Sequence, residues 1–234
     1  MLIFIDLETT GLEESAKICS AAALYEQKYI YELINEGKKI PAQASSIHHI
    51  TNEDIKGKVA FKESGIYEFL NENNSSENTL VAHNIKFDLE KLASHGILWK
   101  GNVIDTLRVT KHLIPECELF GLQVLRYELQ LYKNEETICN EYGIKDALVA
   151  HNALSDTLVL KLLFECLLEM EDEEKMQELS FKNVLLEKFS FGKHTGKYIE
   201  EVCINDRAYV EWLVQSANDL DEDLKYSINY YLQG

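Results

Sequence analysis

Residues 4–12 read FIDLETTGL, and the two acids in this stretch are separated by a single residue. Side chains along a strand alternate between faces, so Asp6 and Glu8 share one face while Ile3, Ile5 and Leu7 take the other. Like charges side by side destabilise a sheet unless something positive lies between them, and Asp is itself depleted in strands. Two later segments add to the same chemistry. HNIKFD (83–88) and HNALSD (151–156) each place an Asn four residues before an Asp, where a helical pattern begins. With Asn84 and Asn152 as N-caps, Asp88 and Asp156 fall in the first helical turn, where the helix dipole favours an ionised carboxylate. His151 lies just ahead of its helix and can turn toward the same place. The set is four carboxylates and one imidazole. Hard oxygen ligands of this kind suit Mg²⁺ or Mn²⁺, which bind through a few carboxylates and keep positions open for water and phosphate. A metal pair is the natural positive partner of Asp6 and Glu8.

The elements that must position these groups follow from periodicity. Strand patterns come first, at 2–6, 18–25 and 28–34, with connections short enough for an antiparallel meander. A loop is expected at 41–51. Strand and helix then alternate: a helix near 61–73, a strand at 79–83, a helix at 85–95, a strand at 102–105, and helices near 106–113, 121–130 and 153–170. That order predicts an α/β layer fold whose sheet has an antiparallel edge. Asp105, at a strand end before a helix, reads as an N-cap, and His83 as a residue that orients the turn ahead of Asn84. Near 172–190 the pattern breaks, and helices at about 206–217 and 221–232 close the chain.

Composition narrows the partners. The chain has 234 residues, 46% of them hydrophobic, enough for one large domain and a small one, here 1–175 and 185–234. No apolar run approaches the length of a membrane helix and no basic, then apolar leader precedes the first strand, which predicts a cytoplasmic protein with no membrane partner. Five scattered cysteines without a CxxC pair predict reduced, packed thiols. A net charge of −17 disfavours tight, sequence-independent duplex binding, whereas short single-stranded ends make a smaller electrostatic demand. The charge is uneven: residues 165–178 are strongly acidic and residues 182–197 carry four lysines. Among them, Lys193 and Lys197 beside Gly192 and Gly196 could guide a nucleic-acid strand; the alternative is a surface turn of a small helical unit packed through Tyr198, Val202, Trp212 and Leu213.

FIDLETTGL, VAHNIKFD and HNALSD resemble the three motifs of the DEDDh 3′→5′ exonucleases, a family with a ribonuclease H-like fold, and the likeness spans about residues 1–170. His151, five residues before Asp156, fits the histidine subclass. SSIHHITNEDI (45–55) is similar to the family's His-Gly-Ile-Thr segment, with His49 where Gly is usual. FGKHTGKYIEEV (191–202) with YVEWLV (209–214) resembles the C-terminal module of exodeoxyribonuclease X-like proteins. The resemblance implies a mixed five-stranded sheet flanked by helices, plus a small, mainly helical C-terminal module. It implies that Asp6, Glu8 and Asp156 hold one ion, that Asp6 bridges to a second, that Asp88 assists through water, and that His151 is the general base. Thr9, Gly11, Leu12, His49, Asn84 and Phe87 are candidate substrate contacts; Leu12, directly after Gly11, reads either as a wedge against the terminal base or, as is commoner for an apolar residue after a turn, as core. The activity implied is release of nucleoside 5′-monophosphates from DNA 3′ ends in repair or replication. A polymerase-bound proofreading subunit and an exoribonuclease are the alternatives, and an idle nucleic-acid-binding module is a third. QELSF (177–181) has a faint likeness to the motif by which replication proteins dock on a sliding clamp. Oligomeric state stays open.

Overall fold

Alternating side chains along Leu2–Thr9 build strand β1, whose two faces bury different partners. Strands β2 (Ile18–Tyr25), β3 (Lys28–Leu33), β4 (Thr79–Ala82) and β5 (Asn102–Asp105) complete one sheet in the order β3-β2-β1-β4-β5. Pairing is antiparallel from β1 out to β3 and parallel from β1 through β4 to β5, so the sheet is mixed, as anticipated. The parallel half needs crossover helices, and the antiparallel half closes through a tight turn at Glu26–Gln27.

The computed structural model describes residues 1–216 and 220–233. Helices α1 (Ala42–His48), α2 (Gly65–Glu72), α3 (Ile85–Ser94), α4 (Thr106–Leu113), α5 (Leu122–Glu128), α6 (Glu135–Glu141), α7 (Ala153–Leu168) and α8 (Glu173–Leu179) belong to a first unit, Met1–Ser180. Four of these depart from expectation. The presumed loop at 41–51 holds α1, because Ala44 and His48 bury one side of a helical turn. The helix expected at 61–73 is divided at Ser64, whose hydroxyl accepts the Tyr67 N–H and so starts α2 afresh after a 3₁₀ turn. Helices α6 and α8 were not foreseen, since each shows only two apolar turns of contact. The QELSF segment overlaps the end of α8, which closes at Leu179; Leu179 and Ser180 are buried, and the Ser180 hydroxyl accepts the Asp105 N–H at 2.8 Å. It serves the fold and is not presented as an extended peptide.

Ile3, Ile5 and Leu7 pack on one face of the sheet with Phe61, Ile66, Leu70 and Leu92. On the other face Phe4 meets Phe164 of α7 edge to face at 5.2 Å. α7 is apolar nearly all round and therefore lies buried across β1 and β2. No helix among the described residues is long and apolar enough to cross a membrane, and the five cysteines are free thiols.

The second unit, Phe181–Gly234, has a core of its own built on Phe189, Ile199, Val202, Val210, Leu213, Leu224 and Ile228. It contains α9 (Ile199–Asn205), α10 (Arg207–Ser216) and α11 (Glu222–Gln233); α9 was not foreseen, and the last residue of the helix expected at 206–217 lies outside the described residues. Val202 and Leu213 are core, but Tyr198 and Trp212 are exposed, contrary to the packing expected. A bridge between Lys188 and Tyr198 closes the glycine-bearing loop. Gly192 has φ +74, and a Cβ there would sit 2.9 Å from the Tyr209 hydroxyl, so both backbone and space require glycine.

Candidate active site

β1 pairs with β4 only through Leu2–Phe4, so Asp6 and Glu8 lie beyond the last rung, near where β4 ends and α3 begins. A crevice at the carboxyl ends of parallel strands is where open α/β sheets bind ligands. Across the β1–β2 ladder Asp6 faces Ala22 and Glu8 faces Ser20, small residues that leave room on the carboxylate face. The second aspartate pair arrives from helices. Asn152 caps α7 as expected, accepting the Ser155 N–H at 3.1 Å, and Asp156 follows in the first turn. Asp6, Glu8 and Asp156 each bring one oxygen within 4.8 Å of the others. Asp88 is buried in the first turn of α3 and stands outside that trio, but its charge is felt by Asp6 and Glu8.

The expected cap at Asn84 differs. Its backbone is left-handed (φ 70), its side chain caps nothing, and its own N–H donates to Asp105 Oδ1 at 2.9 Å. Asp105 also accepts the Leu107 N–H at 3.0 Å, the N-cap role expected of it, and so fastens two helix starts to the end of β5. His83 reaches Thr106 Oγ1 at 2.9 Å and the Phe120 carbonyl at 2.7 Å, consistent with orienting this corner.

Burial is the main cause that shifts the site carboxyls upward. It pushes Asp6 well above the ordinary carboxylate range, with Asp156, Glu8 and Asp88 adding repulsion. Burial followed by Asp156 and Asp88 raises Glu8 to about 8. Burial, then Asp105, raises Asp88. Asp156 rises to about 7, also through burial, against hydrogen bonds from the His151 backbone and Gln123 that pull it down. No Lys or Arg is among the main influences on the Asp6, Glu8 or Asp88 carboxyls. The Ser20 hydroxyl opposite Glu8 is buried without a hydrogen-bond partner. Crowded carboxylate oxygens of this kind fit a divalent ion, so Asp6, Glu8 and Asp156 could hold one by their donor chemistry.

Residues 3–164 match the family model described as "Exonuclease". The chain belongs to the exonuclease family. Residues 189–218 of this exonuclease match a second model, "Exodeoxyribonuclease X-like C-terminal". The exonuclease is 25% identical to exodeoxyribonuclease 10 of Escherichia coli K12 over 100% of its own length and 99% of that protein's. It is 31% identical to the DNA polymerase III subunit epsilon of Treponema pallidum (strain Nichols), over 68% of its length and 72% of that subunit's. Among solved structures, exonuclease X in complex with 5′-overhanging duplex DNA superposes with a TM-score of 0.58 at 23% identity, covering 77% of this chain and 99% of that one. That likeness shows the ribonuclease H-like fold.

The remaining expected site residues are distributed as follows. His151 is exposed with a left-handed backbone (φ 59), and its N–H donates to Asp156 Oδ2 at 2.9 Å. Thr9 is buried, its hydroxyl donating to the Gly11 carbonyl at 2.6 Å, and Leu12 at the loop tip is 87% exposed, not core. Phe87 is half-buried beneath Lys91, whose ammonium lies 5.4 Å from the ring centroid and donates to the Glu13 carbonyl at 2.7 Å, pinning the Leu12 loop. His49 is exposed and adopts φ 62, the left-handed conformation that explains why Gly is usual there. In the second unit Lys197 is exposed, while Lys193 is 2.7 Å from Asp206 and 4.4 Å from the Tyr209 ring centroid. Gln123 and Arg126 of α5 were missed as site residues; their spacing of three on one helix face is the signal that sequence offers.

Proposed function

We propose that this exonuclease hydrolyses phosphodiester bonds from the 3′ end of DNA and releases nucleoside 5′-monophosphates. The observation that carries the reading is the oxygen trio of Asp6, Glu8 and Asp156 within 4.8 Å, in a chain of the exonuclease family. Those three residues would hold Mg²⁺ or Mn²⁺, with Asp6 shared by a second ion and Asp88 acting through water. Two such ions, when bound, supply charge neutralisation on both sides of an in-line displacement at phosphorus.

The protein's own groups do the rest. A ring nitrogen of His151 takes the proton of the attacking water, a task matched to an imidazole near neutral pH. The water oxygen bonds to phosphorus, the P–O3′ bond breaks, and the 3′ oxygen leaves to be protonated. The exposed Leu12 meets the terminal base, and Asn84 and Phe87 line the approach. Two features support a free exonuclease over a polymerase-bound proofreading subunit: the C-terminal match at 189–218, and similarity along the full length of exodeoxyribonuclease 10.

The test is incubation with 3′-labelled single-stranded DNA, duplex DNA and RNA of matched sequence in Mg²⁺, Mn²⁺ or EDTA. Stepwise loss of 5′-monophosphates from DNA, abolished by EDTA, is expected. Robust activity in EDTA, or cleavage confined to RNA, would overturn the reading.

A further inference from the structure

Asp156 has two carboxylate oxygens, and both are held from outside its own helix turn. Oδ2 accepts the His151 backbone N–H, and Oδ1 accepts Nε2 of Gln123 at 2.5 Å. A carboxamide has a donor end and an acceptor end, so something must decide which end faces the acid. That decision falls to Arg126, which donates from Nη1 to Gln123 Oε1 at 3.0 Å and leaves only the NH₂ end for Asp156. Arg126 is itself locked: Nε and Nη2 donate to the two oxygens of Glu135 at 2.5 and 2.7 Å, Nη2 also reaches the Leu148 carbonyl at 3.4 Å, and the residue is 6% exposed. The chain Glu135–Arg126–Gln123–Asp156 therefore runs from α6 through α5 to α7 with every link directional.

We propose that Gln123 is a positioning residue for Asp156: a neutral amide, clamped by Arg126 and Glu135, that aims the Asp156 carboxylate at Asp6 and Glu8 without neutralising it. Charge decides why the residue is an amide. A Lys or Arg at this place would orient Asp156 equally well but would form an ion pair and compete with a divalent cation. Here the guanidinium is ion-paired with Glu135 and acts on Asp156 only across space, while the group in direct contact with Asp156 is an N–H of an uncharged amide. A carboxylate oxygen has lone pairs enough to accept this bond and still bind metal, and such outer partners commonly set metal affinity within 10–100-fold.

This inference rests on the reading of Asp156 as a metal ligand, and the experiment separates the two. Mn²⁺ is titrated calorimetrically into the full-length chain, its Gln123→Met and Gln123→Lys variants, and Asp156→Asn. The expected order is tight binding by wild type, roughly 10-fold or greater loss in Gln123→Met, a larger loss in Gln123→Lys, and the greatest in Asp156→Asn. For Gln123→Met, kcat should recover as Mn²⁺ is raised while KM for DNA stays at the wild-type value, a pattern that a general loosening of the fold would not produce. Should Gln123→Met melt before the assay temperature, Glu135→Gln weakens the Arg126 clamp without touching Asp156, and a several-fold loss of Mn²⁺ affinity is expected. An affinity within about twofold of wild type in the folded Gln123→Met variant, alongside a defective Asp156→Asn, overturns the positioning role alone. Absence of Mn²⁺ binding by the wild type overturns the proposed metal site and this role with it.

Discussion

Four acids whose burial favours the protonated form make the metal-free site a source of instability that depends on pH. Glu8 moves from 4.5 to about 8 and Asp156 from 3.8 to about 7 on folding, so between those values the native state binds more protons than the unfolded one. Stability must then fall as pH rises through that window. Without metal, the melting temperature should drop as the pH goes from about 5 to about 8, and Mn²⁺ should cancel the drop by binding the folded state. Glu8→Gln should flatten the metal-free profile and raise the melting temperature at the alkaline end while abolishing most turnover; a profile as steep as wild type would contradict the burial account. His151 belongs to a different class. It is exposed and contributes only its backbone N–H to Asp156, so His151→Ala should cut kcat by about 10²–10⁴-fold with Mn²⁺ affinity little changed, as measured by steady-state kinetics beside calorimetry.

Elements position these residues, and the strain is local. α1 ends at His49 in the left-handed region, its N–H returning to the Ser45 carbonyl at 2.9 Å. An L side chain there costs about 1 kcal/mol relative to Gly, part of which Gly returns as unfolded-state entropy. His49→Gly should therefore raise stability by roughly 0.5 kcal/mol or more in chemical denaturation, with the m-value unchanged. A loss of stability would mean that the exposed imidazole makes contacts worth more than the strain. The helix missed here and the three other unforeseen short helices, α6, α8 and α9, share a cause. Each is seven residues long, so its hydrophobic period is read over two turns only, and its boundaries are set by what it packs against.

At the scale of the whole molecule there are two separately cored units, and the second carries Lys188, Lys193 and Lys197 of the lysine-bearing stretch 182–197. Lys193 is already paired with Asp206, whose carboxyl is drawn down to about 2 by Lys193 and His194, while Lys197 stands exposed. If the unit guides a strand, Lys197→Ala should flatten the slope of log K against log salt by about 0.7 for a long single-stranded DNA, and Lys193→Ala should change it less. An unaltered slope in both would leave the loop as structure. The sequence by itself determined the sheet's composition, the pairing of Asp6 with Glu8 on one face, and the placing of Asp88 and Asp156 in first helical turns, because alternation and helix starts are local properties of the chain. It also pointed to divalent-ion chemistry, since Asp6 and Glu8 are like charges on one strand face with no positive neighbour in the local sequence. Only the tertiary structure decided that Asp88 stands apart from the trio, that the Asn84 side chain makes no capping bond while Asp105 holds its N–H, and that Glu135, Arg126 and Gln123 link to Asp156. Those relations join residues from separate helices and strands, and no local period records which of them meet once the core has closed.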